Sequence, residues 1–127
     1  MRDGKHVILF VDDDPDFRDA MRQMLEANGY EMAEAESAEE GLRLFKRCDP
    51  DLIILDLMME EVDAGRNMLR DLKAEGNTVP VYLLSSMGDN LAMATDTSEM
   101  GFAGVFQKPI DQATLLRTLE SRLGSPA

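Results

Sequence analysis

Three short apolar runs constrain the fold of this chain more strongly than any other feature of its sequence. They are "HVILFVD" (6–12), "DLIILD" (51–56) and "VPVYLLSS" (79–86), and their polar residues lie mainly at the ends. Unbroken apolar runs of this length are typical of strands buried on both faces, because side chains on both sides of such a strand avoid water. Two shorter and more polar runs, "YEMAEAE" (30–36) and "GVFQKP" (104–109), fit edge strands. The sequence therefore predicts a sheet of five strands.

Helical patterns alternate with these five runs. The predicted helices cover residues 15–28, 38–48, 66–75 and 89–100, and a last helix begins after Asp111. The helix over 89–100 is the weakest of them, because it is rich in Thr, Ser and Asp. The residues expected to begin or end helices are Asp14 with Pro15, Ser37 with Glu40, Asp111, Gly29 and Gly76.

The alternation of strand and helix also predicts the topology. Short connections between strands and helices force parallel strands with right-handed crossovers, so helices cover both faces of the sheet. With the two polar runs at the edges, the favoured strand order is 2-1-3-4-5. The predicted fold class is α/β, a doubly wound parallel (βα)5 sheet.

Length and composition favour one ordinary domain. With 127 residues, 44% of them hydrophobic, the chain can bury a core without disulfides, and its single cysteine, Cys48, excludes an intramolecular disulfide. We expect one domain over residues 1–127, with a core of about 5–123 and a tail over 124–127. No apolar run approaches the roughly 20 residues of a membrane span, and the N-terminus turns acidic too early for a secretory signal, so the expected location is the cytoplasm. The net charge of -12 argues against direct binding of nucleic acid and for basic partners or cations.

Polar residues with chemical potential follow the predicted strands. Asp12 and Asp13 follow the first, Asp56 ends the third, Ser85 lies near the end of the fourth, and Lys108 lies near the end of the fifth. The carboxyl ends of parallel strands meet at one edge, where open α/β sheets bind ligands. Three carboxylates so close together call for a cation, and Mg²⁺ is the natural choice for oxygen ligands. The set suits phosphoryl transfer, in which a carboxylate can be the nucleophile.

Each residue of this set also has a simpler explanation when taken alone. An Asp triplet before a helix is usually a cap, Lys-Pro after a strand is normally a turn, and serines at a strand end normally cap a loop. Their joint placement on four strands favours the functional interpretation.

The stretches "ILFVDDDPDFRDAMRQMLE", "PDLIILDLMMEEVDAG", "PVYLLSS" and "GVFQKPI" resemble the receiver domain of two-component response regulators, over roughly residues 5 to 123. The resemblance implies a flavodoxin-like fold and a Mg²⁺ site. The implied metal ligands are Asp12, largely through water, Asp13 directly, Asp56, and the backbone carbonyl of Met58.

The resemblance also implies a reaction and its partners. Asp56 is the implied phosphoacceptor, Ser85 the hydroxyl that meets the phosphoryl group, and Lys108 the cation that pairs with it. A histidine kinase or phosphotransfer protein is the implied phosphodonor. Phosphorylation would then switch binding of a downstream protein or of an output domain, through the face of the fourth helix, fifth strand and fifth helix. Apart from its own phosphorylation and dephosphorylation at Asp56, such a domain is not an enzyme.

Several positions depart from the family pattern. Glu60 stands where the family usually has proline and Ala64 where it usually has aspartate, so we expect a differently shaped loop after Asp56. Val105 replaces the aromatic residue that often takes part in the switch. Met58 and Met87 cannot orient an attacking water, so we expect the phosphorylated form to hydrolyse slowly. Two alternatives stay open: a pseudo-receiver that binds proteins without phosphoryl chemistry, and an aspartate-nucleophile phosphatase. The phosphatase is disfavoured because it usually needs a second acid at position 58 and a cap domain.

Overall fold

The computed structural model describes residues 5–56, 70–76, 79–86, 103–108 and 110–123. Its strands and helices in chain order are β1 (Val7–Val11), α1 (Pro15–Ala27), β2 (Glu31–Ala35), α2 (Ala38–Cys48), β3 (Leu52–Asp56), β4 (Val81–Ser86), β5 (Gly104–Lys108) and α3 (Gln112–Leu123). Residues 70–74 are helical as well. All five predicted strands are confirmed. The helix predicted over 89–100 lies outside the described residues.

The five strands form one parallel sheet in the order β2-β1-β3-β4-β5. The predicted strand order and fold class are therefore confirmed. The central strands are buried as their unbroken apolar sequences require: all five side chains of β1, and Leu52 to Leu55 of β3, have no exposed surface. The more polar β2 and β5 are the two edge strands, since each pairs with one neighbour.

Side chains alternate between two hydrophobic layers, one on each face of the sheet. On one face Leu9, Val11, Ile53 and Leu55 pack with apolar residues of α2. On the other face, the strand residues that alternate with these four pack with apolar residues of α1 and α3. Phe106 of β5 belongs to this second layer. Burial of apolar surface on both faces holds the carboxyl ends of the strands in register.

Most of the predicted helix ends are observed. Asp14 accepts hydrogen bonds from the amides at the start of α1, the Ser37 hydroxyl accepts one from Glu40 N at 3.1 Å, and the Asp111 carboxylate accepts one from Thr114 N at 3.0 Å. Gly29 and Gly76 have positive φ angles of 87° and 86°. The sequence did not indicate how α2 ends: Asp49 closes it in the left-handed conformation with φ 48°. Aspartate tolerates this conformation better than most non-glycine residues.

None of the helices in the described part of the chain is long and apolar enough to cross a bilayer.

Candidate functional site

The parallel register brings the predicted site residues to one edge of the sheet. Val11, the last residue of β1, pairs with Leu55 on β3. Asp12 therefore follows β1 at the level where Asp56 ends β3. The two acidic positions lie on neighbouring strands because β1 and β3 are adjacent in the sheet.

The same register continues on the other side of β3. Asp56 pairs with Leu84, so that Ser85 is the next residue along β4. Ser86 pairs in turn with Lys108, the last residue of β5. The backbone positions of Asp12, Asp56, Ser85 and Lys108 thus occupy successive strands at one edge. The side chains of Asp56, Ser85 and Lys108, and all of Met58, lie outside what the structure describes, so their predicted roles stay predictions.

Asp12 is fully buried, and it is the charged residue for which this holds among the residues whose burial the structure describes. Its Oδ1 accepts a hydrogen bond from Asp14 N at 3.0 Å, and its own amide donates one to the Ala35 carbonyl of β2 at 3.0 Å. Burial of an ionised carboxylate is costly unless cations or hydrogen bonds compensate it. A cation bound at this edge would offset part of that cost.

The three consecutive aspartates have three different environments. Asp14 is the N-cap of α1, because its Oδ1 accepts hydrogen bonds from Asp16 N at 3.0 Å and Phe17 N at 3.3 Å. Asp12 is buried, and Asp13 is exposed at the bend before the helix. The capping explanation of the triplet therefore applies to Asp14. Asp12 and Asp13 are left as oxygen donors at the sheet edge.

These two carboxylates fit the chemistry of a Mg²⁺ site. Mg²⁺ takes hard oxygen ligands and is commonly held by one or two carboxylates with several waters. Within the described residues, no group of three or more His, Cys, Asp or Glu side chains comes together. The third expected carboxylate, that of Asp56, is not among the described side chains. The donor set that can be described is compatible with Mg²⁺.

An arginine and a glutamate near the acidic pair escaped the sequence analysis. Arg18 on α1 donates through Nη1 to the Asp12 carbonyl oxygen at 2.6 Å and through Nε to Glu34 Oε1 on β2 at 3.0 Å. The only available signal was the helical spacing of Arg18 and Arg22 on α1. Nothing in the sequence linked either arginine to Glu34 on β2.

Arg22 completes this cluster of charges. Its Nε donates to Glu34 Oε2 at 2.9 Å, and its Nη2 is also hydrogen-bonded to that oxygen. Hydrogen bonds from Arg22 first, and from Arg18, lower the pKa of the Glu34 carboxyl against the opposing effect of burial. The same carboxylate raises the pKa of the Arg22 guanidinium. Glu34 and Arg22 are therefore both charged at neutral pH.

A shallow apolar groove of about 310 Å³ lies beside this edge, between α1 and the start of α3. It begins at Phe17, in the first turn of α1, and includes Ile110, shortly after the end of β5. The lining residues are Phe17, Ala20, Met21, Met24, Ile110 and Gln112. Met21 is buried with 2% exposure, whereas Met24 is only partly buried.

Known proteins resemble this chain over nearly its whole length. A family model described as the response regulator receiver domain matches residues 8–120. The transcriptional regulatory protein GlrR of Escherichia coli (strain K12) is 32% identical over 120 residues, covering 94% of this chain and 27% of GlrR. Across several curated relatives, the chain spans from about a quarter to about half of their length.

Solved structures share the fold. A response regulator receiver domain protein from Clostridium thermocellum matches with a TM-score of 0.83 and 28% identity, covering 93% of this chain and 94% of that chain. The chemotaxis response regulator CheY4 of Vibrio cholerae matches with a TM-score of 0.81 and 26% identity, covering 94% of this chain and 99% of that chain.

Proposed function

This chain belongs to the response regulator receiver domain family, and from that premise we propose that it accepts a phosphoryl group on Asp56 in a Mg²⁺-dependent reaction. The proposed donor is a histidine kinase or a phosphotransfer protein. We further propose that residues 1–127 act as a single receiver domain, whose phosphorylation changes its affinity for a protein partner or an output domain.

The observation that carries this proposal is the register of the sheet. It brings the positions of Asp12, Asp56, Ser85 and Lys108 to the ends of neighbouring strands, although they are spread over most of the sequence. Phosphoryl transfer needs little more than a nucleophile and well-placed charges, because the protein mainly positions groups and stabilises charge. A carboxylate, an acidic metal site, a hydroxyl and an amine supply those parts.

In the proposed reaction, a carboxylate oxygen of Asp56 forms a bond to phosphorus while the bond from phosphorus to the donor imidazole nitrogen breaks. The electron pair of that bond leaves with the imidazole. The Lys108 ammonium pairs with the phosphoryl oxygens, and the Ser85 hydroxyl donates a hydrogen bond to them. Bound Mg²⁺, held by Asp12, Asp13, Asp56 and the Met58 carbonyl, would neutralise negative charge on these oxygens.

The groove beside α1 supports docking of the phosphodonor next to the acceptor. It is apolar along Met21 and Met24, and it begins at Phe17, in the first turn of the helix that follows the acidic pair. A helix of the donor protein with an apolar face fits such a groove. In that position the donor imidazole would face the carboxyl edge of the sheet.

The proposed output surface is the face formed by β5, α3 and the helix predicted over 89–100. Arg122 Nε on α3 donates a hydrogen bond to the Tyr82 hydroxyl on β4 at 2.8 Å, which ties α3 to the sheet. Family members such as GlrR are named as transcriptional regulators and are longer than this chain. We therefore propose that a protein partner or a linked output domain responds to phosphorylation of this domain.

The test is intact-protein mass spectrometry after incubation with acetyl phosphate, with and without Mg²⁺. Wild type should gain one phosphoryl group only when Mg²⁺ is present, and hydroxylamine should remove it, as expected for an acyl phosphate. Asp56→Ala should gain none. Asp19→Ala is the matched control, because Asp19 is an exposed carboxylate that hydrogen-bonds Gln23 on α1, and this variant should be phosphorylated like wild type.

Absence of the adduct in a folded wild-type protein would contradict the proposal. It would favour the pseudo-receiver, a module that binds proteins without phosphoryl chemistry. An adduct that persists in Asp56→Ala would instead move the acceptor to another residue.

A further inference from the structure

We propose that Arg18 is a positioning residue, which sets the direction of the peptide group between Asp12 and Asp13 and so orients the acidic pair toward Mg²⁺. This inference rests on the proposed function, because the acidic pair matters chemically as a metal site. It is carried by contacts among α1, β2 and the end of β1, all of which are described.

Arg18 holds the peptide group that joins the two acidic residues. Its Nη1 donates a hydrogen bond of 2.6 Å to the Asp12 carbonyl oxygen. This oxygen lies in the same plane as the amide of Asp13, so its direction determines how the chain continues to Asp13. The Asp12 amide and carboxylate are held separately, by Ala35 O and Asp14 N, both at 3.0 Å. Arg18 therefore fixes the carbonyl group of Asp12 and, through it, the exposed Asp13.

Glu34 and Arg22 hold Arg18 in place. Only 13% of the Arg18 side chain is exposed, and its Nε donates to Glu34 Oε1 at 3.0 Å. Arg22 binds the other oxygen of Glu34, and its Nη1 reaches Glu26 Oε2 at 3.2 Å. Two cations and two anions balance within this cluster. The guanidinium can therefore lie close to the acidic pair without adding a net positive charge there.

Charge and positioning predict opposite effects when Arg18 is removed. Removal of the Arg18 guanidinium leaves the cluster with one net negative charge, so Arg18→Met strengthens Mg²⁺ binding if charge alone matters. If Arg18 positions the pair, the same substitution weakens Mg²⁺ binding, by roughly tenfold on the scale typical of groups that orient metal ligands. Arg18→Lys further distinguishes the charge explanation from the positioning explanation, because lysine keeps the charge but cannot reproduce the forked contact with Asp12 and Glu34.

The experiment is calorimetric titration of Mg²⁺ into the 127-residue wild type and the variants Arg18→Met, Arg18→Lys and Arg43→Met. Arg43 is the matched control, because it is an exposed arginine on α2 that pairs with Glu39 at 3.5 Å. Circular dichroism melting identifies any variant that fails to fold. If Arg18→Met fails to fold, the comparison of Arg18→Lys with wild type carries the test. Both Arg18 variants should bind Mg²⁺ roughly tenfold more weakly, and Arg43→Met should bind like wild type. Unchanged or tighter binding in either Arg18 variant overturns the inference.

A second measurement needs no metal. The Asp14 amide donates to Asp12 Oδ1, so its hydrogen exchange by NMR reports whether the acidic pair is ordered. Exchange should be several-fold faster in both Arg18 variants than in wild type. If wild type binds no Mg²⁺, the proposed function fails, whereas unchanged exchange of Asp14 overturns the role of Arg18 by itself.

Discussion

Glu34 illustrates at the scale of one residue how a charged side chain on an edge strand depends on its neighbours. Hydrogen bonds from Arg22 and Arg18 stabilise the ionised carboxylate and lower its pKa from the ordinary value of 4.5. A lowered pKa in the folded state means that the unfolded chain binds a proton more readily. The stabilising effect of Glu34 is therefore fully present above the ordinary pKa and is lost as the pH falls through the folded value.

Glu34→Gln tests this dependence on pH. Wild type should be more stable than the variant at about pH 7, and the difference should shrink toward about pH 3, because protonation removes the charge that Arg22 and Arg18 bind. Urea unfolding at both pH values measures the difference. The effect should be modest, since the Glu34 side chain is 35% exposed and solvent screens the pair.

Glu39→Gln is the control for this experiment. Glu39 pairs with Arg43 on α2, but its side chain is 84% exposed. Its stability difference from wild type should stay near zero at both pH values. If the difference in unfolding free energy between wild type and Glu34→Gln does not change with pH, the role given to the two arginines is contradicted.

At the scale of the strands, the pairing of β4 with β5 depends on a glycine. Gly104 pairs with Tyr82, and a Cβ atom at this position would lie 2.8 Å from Tyr82 Cε2. The ring has little freedom to move, because it stacks on Phe106 with 5.0 Å between ring centroids and its hydroxyl accepts from Arg122 Nε. The absence of a side chain at residue 104 thus lets the aromatic pair form.

Gly104→Ala should therefore destabilise the protein by about 1 to 3 kcal/mol, the usual range for overpacking. Urea unfolding measures the loss. The same substitution in a Tyr82→Leu background should cost less, because the smaller side chain leaves room for the added methyl group. Equal costs in both backgrounds would show that the tyrosine ring is not the obstacle.

At the scale of the whole molecule, the dominant electrostatic feature is the net charge of -12 on 127 residues. The 25 acidic residues outnumber the 13 basic ones, so the average interaction between charges in the compact state is repulsive. Ion pairs such as those of Glu34 relieve this repulsion locally. Dissolved salt relieves it throughout the surface.

Added monovalent salt should therefore raise the free energy of unfolding. Raising the ionic strength from about 0.01 M to about 0.1 M shortens the screening length from about 30 Å to about 10 Å. Urea unfolding in choline chloride and in sodium chloride measures the rise, which should be equal for the two salts if screening is its cause. Lower stability at the higher ionic strength would mean that attractive ion pairs outweigh the excess of acidic charge.

Much of the fold was predictable because its determinants are local in the chain. The unbroken apolar sequences of β1, β3 and β4 match their burial on both faces, and a nearby acid or hydroxyl marked the start of α1, α2 and α3. The end of α2 was not predictable, because Asp49 adopts a conformation that sequence usually signals with glycine. The positions of the candidate site residues followed from strand order, whereas their side-chain chemistry at Asp56, Ser85 and Lys108 stays a prediction.

Local patterns in the chain specify which segments form strands and helices, because alternation and apolar burial act over a few residues. They therefore also specify which edge of the sheet collects Asp12, Asp13 and the other candidate residues. The division of roles within the acidic triplet, and its contacts with Arg18 and Glu34, become visible only in the folded protein. Both depend on contacts between β1, α1 and β2 that no local pattern encodes, because packing alone determines which distant side chains meet.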